Sequence, residues 1–262
     1  MTSEYLKHTR SLEELDALFE RDRITAAKIA SALYKHEIAT AITNIGEIHQ
    51  IANARIQADS QVASAKMMTN AEVASAVLMS KAEAEILKIQ HEVNSHSPKE
   101  DLLDGMIAEI SRISSDEIKE NAQKSIDAIK GEAERAINQL KSNATKAIEE
   151  INMLAESTTT KVIESAETAK AKLQQEQEQE RTPEEIGQHA KVEADKILVE
   201  AKATSQELRD LTDTISQNVK DIVANSTQTI NDAVAASERR IIETRNNALL
   251  RIEETVNNLF PD

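Results

Sequence analysis

The chain has 262 residues and a formal net charge of −15, with two Phe, two Tyr, no Trp, no Cys, four Gly and three Pro. So few aromatics and turn residues exclude a compact, loop-rich globule, whose core and connections depend on them. The missing Cys excludes disulfides and thiolate-bound metal, and an acidic chain without a basic stripe is not expected to bind nucleic acid.

Residues 1–10 read as an N-terminal tail. The opening "MTSEYLKHTRSLEELDALFERDR" lacks the apolar core of a signal peptide. No window approaches the roughly 18 consecutive apolar residues of a membrane span, so we expect no transmembrane segment and a cytoplasmic protein.

Residues 11–96 read as long helix 1. It starts at "SLEE", a capping box in which the Ser11 hydroxyl accepts from a first-turn amide and Glu14 reaches back. Ile45, Ile56, Met67, Leu78 and Ile89 then recur every eleven residues, with Ala41, Ala52, Ala63 and Ala74 in a parallel row. Ile29, Ile51, Val62 and Val73 form a second row, roughly 120° around the helix from the first. Two apolar faces are expected to touch two neighbouring helices.

Residues 97–181 read as long helix 2. "SPKE" repeats the capping box with Ser97 and Glu100, and adds Pro98 at the first helical position, where its fixed φ suits a helix. Ile107, Ile118, Ile129, Leu140, Ile151, Val162 and Leu173 keep the eleven-residue step, with Ala122 through Ala166 behind them. This is the narrowest seam, with polar flanks.

Residues 182–262 read as long helix 3, opened by "TPEE" with Thr182 and Glu185 as the box and Pro183 inside it. Ile186, Ile197, Leu208, Val219, Ile230, Ile241 and Ile252 form its seam. Ser and Thr interrupt the seams at Thr159, Thr212, Ser216 and Thr227, weakening individual layers.

Eleven residues over three turns is close to the natural period of a helix, so such a seam stays on one side of a nearly straight helix. A large side chain alternating with Ala lets a neighbour's large residue sit over the small one. Helices of about 80 residues, some 120 Å long, are not stable without a partner along their length. The seams lose phase between Ile89 and Ile107 and between Leu173 and Ile186, as chain reversal requires. The expected fold is therefore all-α: three very long helices with hendecad seams in one elongated antiparallel three-helix bundle or coiled coil. Seam surface left exposed would join copies side by side or end to end.

Chemistry is not expected. The six histidines are scattered, and His91 and His96, five apart, miss the spacing of a helical zinc pair. No phosphate loop, nucleophile elbow or calcium loop is present, so no catalytic, cofactor or metal site is assigned. Gly46, Gly105, Gly131 and Gly187 stand alone in helical pattern, as bends or close contacts. The leading functional expectation is a non-enzymatic scaffold, spacer or filament-forming component, its partner itself or another helical protein. One alternative is an amphipathic coat on a lipid or polymer granule, disfavoured by the Ala-rich seams and scarce aromatics. The other is a helical adaptor or signalling bundle.

Overall fold

The computed structural model describes the backbone of residues 23–95, 100–179 and 184–259, and side-chain surroundings for 25–95, 105–174 and 191–259. These residues form three α-helices: α1 (Arg23–Ser95), α2 (Glu100–Gln179) and α3 (Glu184–Leu259). Composition explains their length. Ala and Glu, both strong helix formers, are the commonest residues, Ile fills the seams, and Ser and Thr are accommodated by donating to the carbonyl one turn back, as Thr43, Ser125 and Thr229 do. A Cβ built on Gly46, Gly105 or Gly131 meets nothing within 4 Å, so these glycines do not mark the close contacts their isolation suggests.

The chain divides into two compact units. Among the described residues, unit 1 takes in 23–54, 143–179 and 184–221, and unit 2 takes in 55–95, 100–142 and 222–259. In unit 1, a continuous core joins Ile29, Leu33, Tyr34, Ile38 and Ile45 to Ile151, Val162 and Leu173 and to Ile197 and Leu208. Its rim is tied by Lys35–Glu200 at 3.5 Å, Lys161–Glu37 at 3.8 Å and Lys170–Asp195 at 2.7 Å. Ser31 also donates to Glu200.

In unit 2 the cross-helix bonds fix direction and register. Ser60 donates to the Ser226 carbonyl at 3.0 Å, Arg240 to Glu72 at 2.9 Å and Arg251 to Glu83 at 3.2 Å, so α1 and α3 run parallel. Asn70 donates to Glu132 at 2.8 Å and Ser114 to Glu85 at 2.9 Å, so α2 runs against α1. Taken together, the Ser114–Glu85, Asn70–Glu132 and Lys66–Glu132 pairs bring Ile118 close to level with Ala82, Ile129 with Ala71 and Leu140 with Ser60, all of them buried. Conversely Ala122 and Ala133 come close to level with Leu78 and Met67. The parallel pair is out of step in the same manner: Ile241 falls between Ala71 and Ser75, and Ala248 near Leu78. Large over small in these layers is what lets the helices approach closely.

The second row of α1 behaves differently from the expectation. Ile29 is buried in unit 1, but Ile51, Val62 and Val73 are 69%, 68% and 58% exposed. In unit 2, α3 binds α1 through Ser60 and Glu72 and α2 binds it through Asn70 and Glu85, on either side of the Met67–Leu78 row. Both neighbours share one side of α1, and a row roughly 120° away lies beyond both.

Candidate interaction surfaces

The inward rows are closed. Ile45, Ile151, Val162, Leu173, Ile197, Leu208 and Val219 are buried in unit 1. In unit 2 the same holds for Ile56, Met67, Leu78 and Ile89, for Ile107, Ile118, Ile129 and Leu140, and for Ile230, Ile241 and Ile252. Ile186 lies outside the described side chains. Ser11, Glu14, Ser97 and Thr182 lie outside the described residues, and Glu100 and Glu185 are described only as helical backbone.

Hydroxyls within these rows are met unevenly. Thr212 donates to the Leu208 carbonyl at 2.8 Å, whereas Thr159, Ser216 and the half-buried Thr227 have no hydrogen-bond partner. Ser75, Ser205 and Ser237 are likewise buried and unpartnered. Each such hydroxyl costs the helix its desolvation without recovering a bond.

One open groove lies in unit 2 between α1 and α2. It has a volume of about 510 Å³, with Leu87, Ile110 and Ile113 as its apolar lining and Glu85, Lys88, His91 and Glu117 among its polar groups. Glu85 accepts from Lys88 Nζ at 2.6 Å and from Ser114 Oγ at 2.9 Å. Burial pushes the Glu85 carboxyl up, but these two bonds and the Lys88 and Lys81 charges outweigh it, and the group sits below the usual carboxylate range. Glu85 is thus a fixed anion at neutral pH, suited to holding α2 against α1 and unsuited to carrying a proton. Among the described residues, no three His, Asp or Glu come together as a metal site, and no helix is long and apolar enough to cross a membrane. His36 is exposed, and His49 Nε2 lies 2.7 Å from Asn53 Nδ2.

With this geometry in view, the comparisons with known proteins bear on fold alone. No protein-family model and no curated protein matches the chain. Among solved structures it is similar to a computationally designed three helix bundle, at 11% identity over 92% of this chain and 99% of that one, with a TM-score of 0.58. The chain is a three-helix bundle.

The bundle carries two outward features that the seam rows do not reveal. On α3, Gln206 donates to Asp210 at 2.7 Å, Gln217 to Asp221 at 2.8 Å and Gln228 to Asp232 at 2.8 Å. The same exposed pair thus returns every eleven residues, twice in unit 1 and once in unit 2. The spacing Gln-x-x-x-Asp, repeated in "SQELRD", "SQNVKD" and "TQTIND", is the signal that finds it. On α1, an uncharged line runs from Ala58 to Leu87 in steps of three, four and four residues, and every side chain on it is exposed. Its signal is the eleven-residue period of Val62 and Val73, which spacing alone cannot assign to the inside or the outside.

Proposed function

We propose that this protein is a non-enzymatic cytoplasmic scaffold, an assembly component built on hendecad helices, with itself or another helical protein as partner. The observation that carries this reading is the Gln–Asp ladder on α3. Each pair steadies its own turn by a few tenths of a kcal/mol. Repetition adds something that stability does not require: one acidic group in one local setting, returning every eleven residues along α3. A catalytic site is a single constellation of unlike groups, whereas a periodic surface suits a partner that is itself periodic. The outer faces of α2 and α3 are charged and belong in water, which weighs against a lipid or granule coat.

The test uses the tagged full-length chain, imaged in its host cell, beside a variant carrying Asp210→Lys, Asp221→Lys and Asp232→Lys. A scaffold concentrates on a discrete structure, and the triple variant disperses while keeping its helicity by circular dichroism. Uniform dispersal of the unaltered chain, or its flotation with neutral lipid droplets, overturns the reading.

A further inference from the structure

We propose that the outward line of α1 in unit 2 pairs with the same line of a second copy, α1 against α1 and parallel. The inference deepens the scaffold reading by naming the surface through which copies associate. Val62, Val73 and Leu87 are 68%, 58% and 64% exposed, and Ala58, Ala65 and Ala76 stand between them. No residue from Ala58 to Leu87 on this line is charged. Its steps of three, four and four residues match those of the inward rows, so a second straight helix of the same period meshes with it as the helices of the bundle mesh with each other.

Three features point to another copy as the occupant. The first is charge. The flank toward α3 carries Glu72 and Glu83, and the flank toward α2 carries Lys66 and Lys88. In a parallel two-fold pair, each acidic flank faces the partner's basic flank, bringing Glu83 near the partner's Lys88. An antiparallel pair would set acid against acid. Within the chain, Glu72 and Glu83 bind Arg240 and Arg251, Lys66 binds Glu132 and Lys88 binds Glu85; the four α1 side chains stay exposed, so a facing charge can extend these pairs into networks.

The second feature is the net charge of −15, which makes copies repel wherever acidic faces meet. The uncharged line is where two copies come together at least cost. The third is size. A line of about 30 residues spans roughly 45 Å of helix, and two such lines with their flanks bury on the order of the 800 Å² per partner typical of a specific interface. A lipid surface fits less well, because the line is narrow, rich in Ala and free of aromatics.

The test is sedimentation of the full-length chain over a concentration series, beside the double variant Val62→Glu, Val73→Glu. The unaltered chain is expected to dimerise, and the variant to dimerise at least ~10-fold more weakly with unchanged helicity. Because the chain has no Cys, Val62→Cys reports direction: a parallel pair oxidises to a disulfide-linked dimer, whereas an antiparallel pair sets Val62 beside the partner's Ala84 and does not. A monomer at all concentrations, a dimer that ignores the glutamates, a Val62→Cys chain that fails to cross-link, or binding to neutral lipid vesicles without dimer overturns the pairing. A monomer that still concentrates on its cellular structure removes this interface and leaves the scaffold reading standing. A dimer that is dispersed in the cell does the reverse.

Discussion

In unit 2 the three helices turn unlike faces to water. Along its outward line α2 presents Glu109, Asp116, Glu120, Lys124, Asp127 and Arg135, and α3 presents Gln228, Asp232, Arg239, Glu243 and Glu254. The corresponding line of α1 holds only Val, Leu, Ala, Ser and Thr. Rotating α2 or α3 about its axis would bury charge, so polarity alone fixes how those helices face. For α1 polarity says little, since both of its sides are apolar. Its facing is marked by size, with Ile56, Met67, Leu78 and Ile89 inward against an outward line of Val, Ala, Ser and Thr that ends in Leu87. Directional bonds add to this, Ser60 to the Ser226 carbonyl and Asn70 to Glu132. The difference teaches that an apolar row contributes to the fold only where a neighbour supplies the opposite surface.

Two leucines nine residues apart on α1 should respond most unequally to truncation. Leu78 is 1% exposed and Leu87 is 64% exposed. Leu78→Ala opens a cavity and should cost about 2–5 kcal/mol in urea unfolding. Leu87→Ala should stay within about 0.5 kcal/mol, measured at concentrations where the chain is monomeric. Equal losses would mean that α1 is rotated from the facing described here.

A second pair compares hydroxyls on the inward side of the same helix. Ser75 is buried without a partner, while Ser60 is buried and donates to the Ser226 carbonyl. Ser75→Ala should raise stability by about 1 kcal/mol, because it removes an uncompensated polar group and adds helix propensity. Ser60→Ala gains the same propensity but loses the bond to α3, so it should fall below Ser75→Ala in thermal unfolding. The reverse order would argue that Ser75 has found a partner.

The fold was legible in the sequence because the eleven-residue step is a property of the helix alone. Three long helices packed together follow from that step and from the phase slips between its runs. What the step does not carry is which side of a helix has neighbours. The Val62 and Val73 row repeats as regularly as the Met67 and Leu78 row, and what separates them is side-chain size together with the bonds to Ser226 and Glu132. The hydroxyls were hidden for a similar reason. Thr212 reaches its own helix's carbonyl while Thr159 does not, a matter of side-chain rotation rather than residue type. The α3 ladder is written plainly in its Gln-x-x-x-Asp spacing, but it lies on the polar face, where a search for apolar rows does not look.

Gly131 tests the charged line of α2. It lies on that line, adopts ordinary helical geometry and has open space where a Cβ would stand. Gly131→Ala should therefore stabilise by about 0.5–1 kcal/mol through backbone entropy alone. The Arg135 side chain, which donates to the Gly131 carbonyl at 3.1 Å, should be undisturbed. Destabilisation on chemical unfolding would show that α2 is approached closely at this point.

The smallest effect expected is electrostatic and sits where the apolar line of α1 meets α2. Bonds from Lys88 and Ser114 hold the Glu85 carboxyl below its ordinary range, against the upward push of burial. A carboxyl with a folded pKa below its unfolded one stabilises the fold fully above the unfolded value and loses that contribution as pH falls through the folded value. The raised Lys88 keeps the cation in place through neutral pH and beyond. Glu85→Gln should therefore cost at most about 1 kcal/mol at pH 7, as expected of a pair near the surface. The gap between variant and parent should close as pH drops below the carboxylate range. Chemical unfolding at both pH values reads the sign directly. A gap that widens with acid would mean that burial, not the Lys88 and Ser114 bonds, governs this carboxyl, and would leave the facing of α1 against α2 resting on side-chain size and the Asn70–Glu132 bond.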